Sequence, residues 1–166
     1  MLRFFYLDAS ALGKRYAPEV GTPLLNHLFT SVPADRLYVF NVGMAEVASV
    51  LVRKRNAGHL IAADFARAMA NFGTEIVQAA SVNKVTADND LVTAALPLIE
   101  TRSINGTDAI LLRSALDLAA FLRTVGQDLV LVASDQRLLR AAQTEGLTTF
   151  DPEREGQTVL DALLVP

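Results

Sequence analysis

Leu129-Val130-Leu131-Val132-Ala133 is an unbroken apolar run that stops at Ser134-Asp135 and gives way to a helical pattern. A short continuous apolar run of this kind reads as a buried strand. The rest of the chain repeats the theme of short strands separated by helices. Leu2–Leu7 reads as a strand, followed by helices over Ala9–Tyr16 and Thr22–Phe29. Leu37–Phe40 is a second strand, and Asn41 is a favourable cap for a helix over Val42–Asn56 that Gly58 stops. Leu60–Phe72 carries Ile61, Phe65, Ala68, Met69 and Phe72 at helical spacing, and Glu75–Gln78 suits a short strand. Asp88–Thr101 is helical, with Pro97 expected to kink it. Thr107 is placed to cap an apolar helix over Asp108–Thr124, Asp135–Thr144 forms a helix closed by Gly146, and Leu147–Phe150 suits a last strand. Strands alternating with helices predict an α/β fold with a central, mostly parallel sheet flanked by helices on both faces. No repeat, low-complexity tract or linker interrupts it, so one domain over residues 1–166 is expected.

Composition narrows the function classes. There is no Cys, which excludes disulfides, thiolate metal sites and a Cys nucleophile, and suits a reducing cytosol. Asp8 ends the N-terminal apolar run too soon for a signal sequence, and no uncharged apolar stretch is long enough to span a membrane. A soluble cytoplasmic protein is the expectation. The 51% apolar content points to surface covered by a second copy, hence a homodimer. The net charge of −3 argues at first against nucleic acid. Four of the 18 acidic residues belong to the candidate site below, and the remaining 14 face 15 Lys and Arg, so the chain outside that site is near neutral. Patches rather than totals steer polyanions.

Asp8 and Asp135 each follow a strand, and the C-terminal strand edge of an open parallel sheet is where ligand sites form. Asp108 opens a helix after Asn105-Gly106 and can reach the same edge. Glu46 lies one turn inside a helix among Val42, Ala45, Val47 and Val50, where a charge facing the core needs a partner. Carboxylates without matched cations suit Mg²⁺ or Mn²⁺, hard ions that prefer oxygen ligands and activate water for phosphoryl displacement. The same residues also fit plain roles. Asp8 and Asp135 suit helix N-caps, Asp108 complements a helix dipole, and Glu46 suits a solvated helix face.

Four blocks of sequence resemble PIN-domain proteins, especially VapC-type toxins of toxin–antitoxin pairs. The first is Phe5-Tyr-Leu-Asp-Ala-Ser-Ala-Leu-Gly-Lys-Arg-Tyr-Ala-Pro-Glu-Val-Gly21. The second is Ala45-Glu46-Val47-Ala48-Ser49 with Arg53-Lys54-Arg55, and the third is Thr107-Asp108-Ala109-Ile110. The fourth is Val132-Ala-Ser-Asp-Gln-Arg-Leu-Leu139 with Glu145-Gly146-Leu147 and Asp151-Pro152. They occur in family order over nearly the whole chain. The resemblance implies a PIN-like three-layer fold and a Mg²⁺- or Mn²⁺-dependent endoribonuclease. It implies that Asp8, Glu46, Asp108 and Asp135 are the catalytic, metal-binding acids and that Ser10 supports Asp8 through a hydrogen bond. It also implies a dimeric toxin silenced by a cognate antitoxin protein. Ala133 stands where the family often has Thr or Ser, leaving Ser134 as the candidate hydroxyl; the segment from about residue 58 to 104 is longer than in compact members.

Lys14 and Arg15, near Asp8, and the run Arg53-Lys54-Arg55 are candidate contacts for RNA phosphates. A solvated helix end is the plainer reading of the same cations. His27 and His59 lack metal-ligand spacing. A phosphatase using Asp8 as nucleophile would want a second acid where Ser10 stands, and a receiver domain would want a late Lys, whereas none follows Lys84. The remaining alternatives are a non-catalytic PIN-fold binding module and a PIN nuclease outside any toxin–antitoxin pair.

Overall fold

The computed structural model describes residues 1–165. Its centre is a five-stranded sheet built from β1 (Arg3–Leu7), β2 (Leu37–Phe40), β3 (Asn83–Val85), β4 (Asp128–Val132) and β5 (Thr148–Phe150) in the order β3-β2-β1-β4-β5. All four pairings are parallel, with Leu7 opposite both Val39 and Val132. The helices are α1 (Ala9–Tyr16), α2 (Thr22–Ser31), α3 (Asn41–Asn56), α4 (Ala62–Phe72), α5 (Asn89–Arg102), α6 (Gly106–Thr124), α7 (Gln136–Thr144) and α8 (Gln157–Leu164).

Because strand side chains alternate between faces, each buried strand feeds two cores. Phe5, Leu7, Val39, Val130, Val132 and Phe150 join Leu12 of α1, Leu25 of α2, Val47 of α3, Phe72 of α4 and Leu160 of α8 on one face. Tyr6, Phe40, Leu129, Leu131 and Ala133 meet Ala95 of α5, Leu112 of α6 and Leu138 of α7 on the other. The helix after β1 therefore turns to one face and the helix after β4 to the other. These two strands are adjacent, so their C-terminal ends border the crevice where an open α/β sheet binds ligands.

Several sequence expectations are corrected. Glu75–Gln78 is not a strand: Gly73–Val77 continues α4 as a π-helical turn. That turn buries Ile76 and presents Glu75 to Arg15 and Tyr16, so tertiary contacts override the local strand pattern. The third strand is Asn83–Val85, a short edge strand with little apolar signal, and α8 is a further element the sequence reading lacks. Asn105, not Thr107, caps α6: its Oδ1 accepts from Asp108 N at 2.9 Å, and its Nδ2 donates to Asp108 Oδ2 at 2.8 Å. Asn41 begins α3 rather than preceding it, and its Oδ1 accepts from the N–H groups of Val42 and Ala87, tying β2 to the chain after β3. Pro97 lies inside α5 without breaking it. Gly21, with φ of 91°, is the position where a side chain is excluded, since a Cβ there would stand 2.7 Å from the carbonyl oxygen of Pro152.

Candidate active site

The two central strands end side by side, and the loops leaving them are stitched together by one hydroxyl. Asp8 N donates to Val132 O at 2.9 Å, aligning the two strand ends. Asp8 then caps α1, its Oδ2 accepting from Ser10 N at 2.9 Å and from Ser10 Oγ. Ser10 Oγ in turn accepts from Ser134 N at 2.9 Å and Asp135 N at 3.3 Å. A small hydroxyl at position 10 is thus what the junction needs: one donor for a carboxylate, with lone pairs for two backbone N–H groups. Ser134 contributes through its backbone N–H, whereas its Oγ is buried and has no hydrogen-bond partner among the described residues. The hydroxyl role expected of Ser134 is therefore corrected to a main-chain one.

Asp135 caps α7, with Oδ1 accepting from Arg137 N at 2.7 Å and Leu138 N at 3.1 Å. The cap reading and the site reading of Asp8 and Asp135 are compatible, because capping uses one oxygen of each. Asp108 is held differently, its Oδ2 accepting from the side-chain Nδ2 of Asn105, the cap of α6. Glu46 makes no hydrogen bond among the described residues. These four acids line a single cleft of about 360 Å³, together with Ala9, Ser10, Ser49, Val50 and Arg53.

The electrostatics of the cleft push three of its acids upward. Burial pushes the Asp8 carboxyl up, the hydrogen bonds from Ser10 oppose that shift, and the charge of Asp135 adds to it. Burial and then Asp8 raise Glu46, with Arg53 opposing. Asp108 is pushed up to about 7 by burial and by the charges of Asp8, Asp135 and Glu46, against a smaller opposing effect of Arg137. None of the four makes an ion pair among the described residues, which leaves like charges facing each other in a half-buried cleft. An oxygen-only donor set with surplus negative charge fits a hard divalent cation. The side chains nevertheless stand apart: among the described residues, no three Asp, Glu or His side chains are gathered into a group that could hold an ion.

The expected RNA contacts divide sharply. Lys14 is corrected to a structural role, since its side chain is only 3% exposed and ion-paired with Glu19 and Glu153. Arg15 donates to both oxygens of Glu75 and stacks over Phe29, so it is committed to the fold. Lys54 pairs with Glu19, and Arg55 lies over the Phe65 ring. Arg53 is the member of that run that lines the cleft. Arg137, absent from the residues singled out in the sequence, opposes the upward shift of Asp108 through its charge. Its position two residues after Asp135 is the signal that points to it.

No protein-family model and no curated relative matches the sequence. Solved structures do. PAE2754 from Pyrobaculum aerophilum matches at 21% identity over 98% of this chain and 98% of its own, with a TM-score of 0.61. A structure of FitAB bound to an IR36 DNA fragment matches at 12% identity over 93% and 99%, with a TM-score of 0.66. VapC20 of Mycobacterium tuberculosis, a sarcin–ricin loop cleaving toxin, matches at 19% identity over 82% and 94%, with a TM-score of 0.56. With its all-parallel sheet in the order β3-β2-β1-β4-β5 between two helical layers, the chain has the PIN-like fold of these structures.

Proposed function

We propose that the chain is a divalent-metal-dependent endoribonuclease, acting as one PIN domain and as the toxin of a VapBC-type pair. The observation that carries this reading is the cleft at the β1/β4 crevice, lined by four acids without a paired cation. The fold shared with VapC20, a sarcin–ricin loop cleaving toxin, supports the choice of RNA and of a toxin. On this reading Asp8, Glu46, Asp108 and Asp135 hold one or two Mg²⁺ or Mn²⁺ ions. A bound ion would supply Lewis-acid activation of water and charge stabilisation for in-line phosphoryl displacement.

The protein's own groups do the rest. Ser10 fixes Asp8 and the Asp135 loop in register, so two acids from different strands keep a constant separation. Asn105 holds one oxygen of Asp108 and leaves the other for a ligand. Arg53 sits beside Glu46, where it can meet a substrate phosphate. A homodimer silenced by a cognate antitoxin in the cytoplasm completes the proposal. No helix among the described residues is long and apolar enough to cross a membrane.

RNA cleavage by purified protein in Mg²⁺ or Mn²⁺ tests the reading. Wild type should cut and Asp8→Asn should not. Equal persistence of RNA with both proteins would overturn the nuclease and leave a PIN-fold binding module.

A further inference from the structure

The helix that Asp135 caps at the edge of the carboxylate cleft also walls a second concavity, of about 350 Å³, between the end of α5 and one face of α7. Thr101, Arg102 and Ser103 form one wall; Arg137, Arg140 and Thr144 form the other. Arg137, Arg140 and Thr144 recur at helical spacing on a single face of α7, while Leu138, Leu139 and Ala142 point inward. Ser103 closes α5 with φ of 51°, a left-handed backbone on a residue other than Gly.

Most cations of this chain are spent on its own acids or carbonyls, as with Lys14, Arg15, Lys54, Arg113 and Arg123. The guanidinium groups of Arg137 and Arg140 make no ion pair or hydrogen bond among the described residues. Arg102 is fixed by Glu145, which accepts from its Nε, while its Nη groups make no hydrogen bond among the described residues. Three guanidinium groups therefore line one concavity in a chain whose net charge is −3. Arg137 stands in the first turn of α7, its N–H donating to Asp135 Oδ1, so the groove begins beside the carboxylate cleft.

We infer that this groove is the track for the RNA backbone on one side of the scissile bond, with Arg137, Arg140 and Arg102 contacting successive phosphates. The inference rests on the nuclease reading and extends it. A cleft of four acids repels a polyanion, so the strand must be gripped by cations beside the acids rather than among them. Arg53 provides such a grip on the α3 wall, and the arginine groove on α7 provides a second. Guanidinium forks suit phosphate oxygens bidentately, and Ser103 adds a hydroxyl donor, whereas the hydroxyls of Thr101 and Thr144 already donate to the carbonyls of Pro97 and Arg140.

The test is binding of a labelled single-stranded oligoribonucleotide to the full chain in EDTA, across a salt series. The double variant Arg137→Ala/Arg140→Ala should bind about tenfold more weakly or worse, and its log–log salt slope should fall by about 0.7 for each phosphate it no longer neutralises. The Arg137→Lys/Arg140→Lys protein should keep the wild-type slope and lose only a few-fold in affinity. That pattern separates lost charge from lost structure. Wild-type affinity and slope in the alanine variant would overturn the groove, as would failure of wild type to bind the RNA. Equally tight binding of a poly-glutamate peptide, abolished in the same variant, would overturn the RNA assignment in favour of an acidic protein segment. Cleavage separates the two claims. RNA held through these arginines but never cut in Mg²⁺ or Mn²⁺ leaves the groove standing and removes the nuclease.

Discussion

Two acidic groups flank α1, and they are treated in opposite ways. Beyond its C-terminal end, Glu19 and Glu153 are matched by Lys14 and Lys54, which link α1, α3 and the loops after α1 and β5. Burial alone would raise Glu19, but Lys54 and Lys14 outweigh it and hold its carboxyl below the usual range. At the N-terminal end of α1, Asp8 shares a cleft with Glu46, Asp108 and Asp135, and the shifts of Asp8, Glu46 and Asp108 run upward. The same residue types thus serve as scaffold where cations satisfy them and as a candidate site where they are left wanting a positive partner. Unpaired buried charge is costly to retain. Its retention at the β1/β4 crevice is what separates this region from an ordinary ion-pair network.

The comparison can be broken from either side. Asp8→Asn should lower RNA cleavage about 10³-fold, the equivalent of ~4 kcal/mol of transition-state stabilisation, with thermal stability in EDTA undiminished. Retained cleavage would place the chemistry elsewhere. Lys14→Met, in the matched group, should do the reverse. It should destabilise the fold by about 2 kcal/mol in denaturant unfolding, because it leaves Glu153 unmatched, yet preserve the turnover of folded protein. The partial exposure of both glutamates sets that figure below the cost of a fully buried pair. Weakened RNA binding at unchanged stability would restore Lys14 as an RNA contact. Ser10→Ala removes the hydroxyl that bridges Asp8 to the Ser134 and Asp135 N–H groups, and should cost about 1.5 kcal/mol. Cleavage should fall by less than in Asp8→Asn, since the carboxylate itself remains.

The smallest effect concerns pH. Asp108 stands near 7 in the folded protein against 3.8 for the free side chain, so the folded state keeps a proton that the unfolded chain has already released between those values. Its stabilising contribution is complete below about pH 4 and is lost as pH rises through about 7. In EDTA at about pH 8, Asp108→Asn should therefore be more stable than wild type by about 1 kcal/mol, after allowance for solvent screening. At about pH 5 that advantage should shrink. An advantage that grew on acidification would contradict the assigned cause.

Much of this is legible in the sequence, for identifiable reasons. β1 and β4 each carry a run of apolar and aromatic residues, Phe4–Leu7 and Leu129–Val132, that feeds both cores, so composition alone marks them. Asp8 and Asp135 follow directly from where those runs stop. β3, in contrast, is Asn83-Lys84-Val85, a strand only because β2 offers it an edge. The Glu75 segment carries a strand pattern that the burial of Ile76 and the pairing with Arg15 convert into a π turn. Lys14 reads as a free cation in the sequence because its partner Glu153 lies far along the chain. The fate of a cation depends on what the fold brings to it. Arg137 and Arg140 escape a sequence reading for the converse reason: exposed arginines on a short helix carry no signal until α5 supplies the facing wall.

The most direct test of the contrast between matched and unmatched acids is the thermal shift that Mn²⁺ produces at about pH 8, read on wild type, Asp8→Asn and Glu19→Gln. Mn²⁺ should raise the midpoint of wild type and of Glu19→Gln alike, and leave Asp8→Asn nearly unmoved. An equal shift in all three, or a shift abolished only in Glu19→Gln, would show that the cleft at the β1/β4 crevice is not where this protein holds a cation.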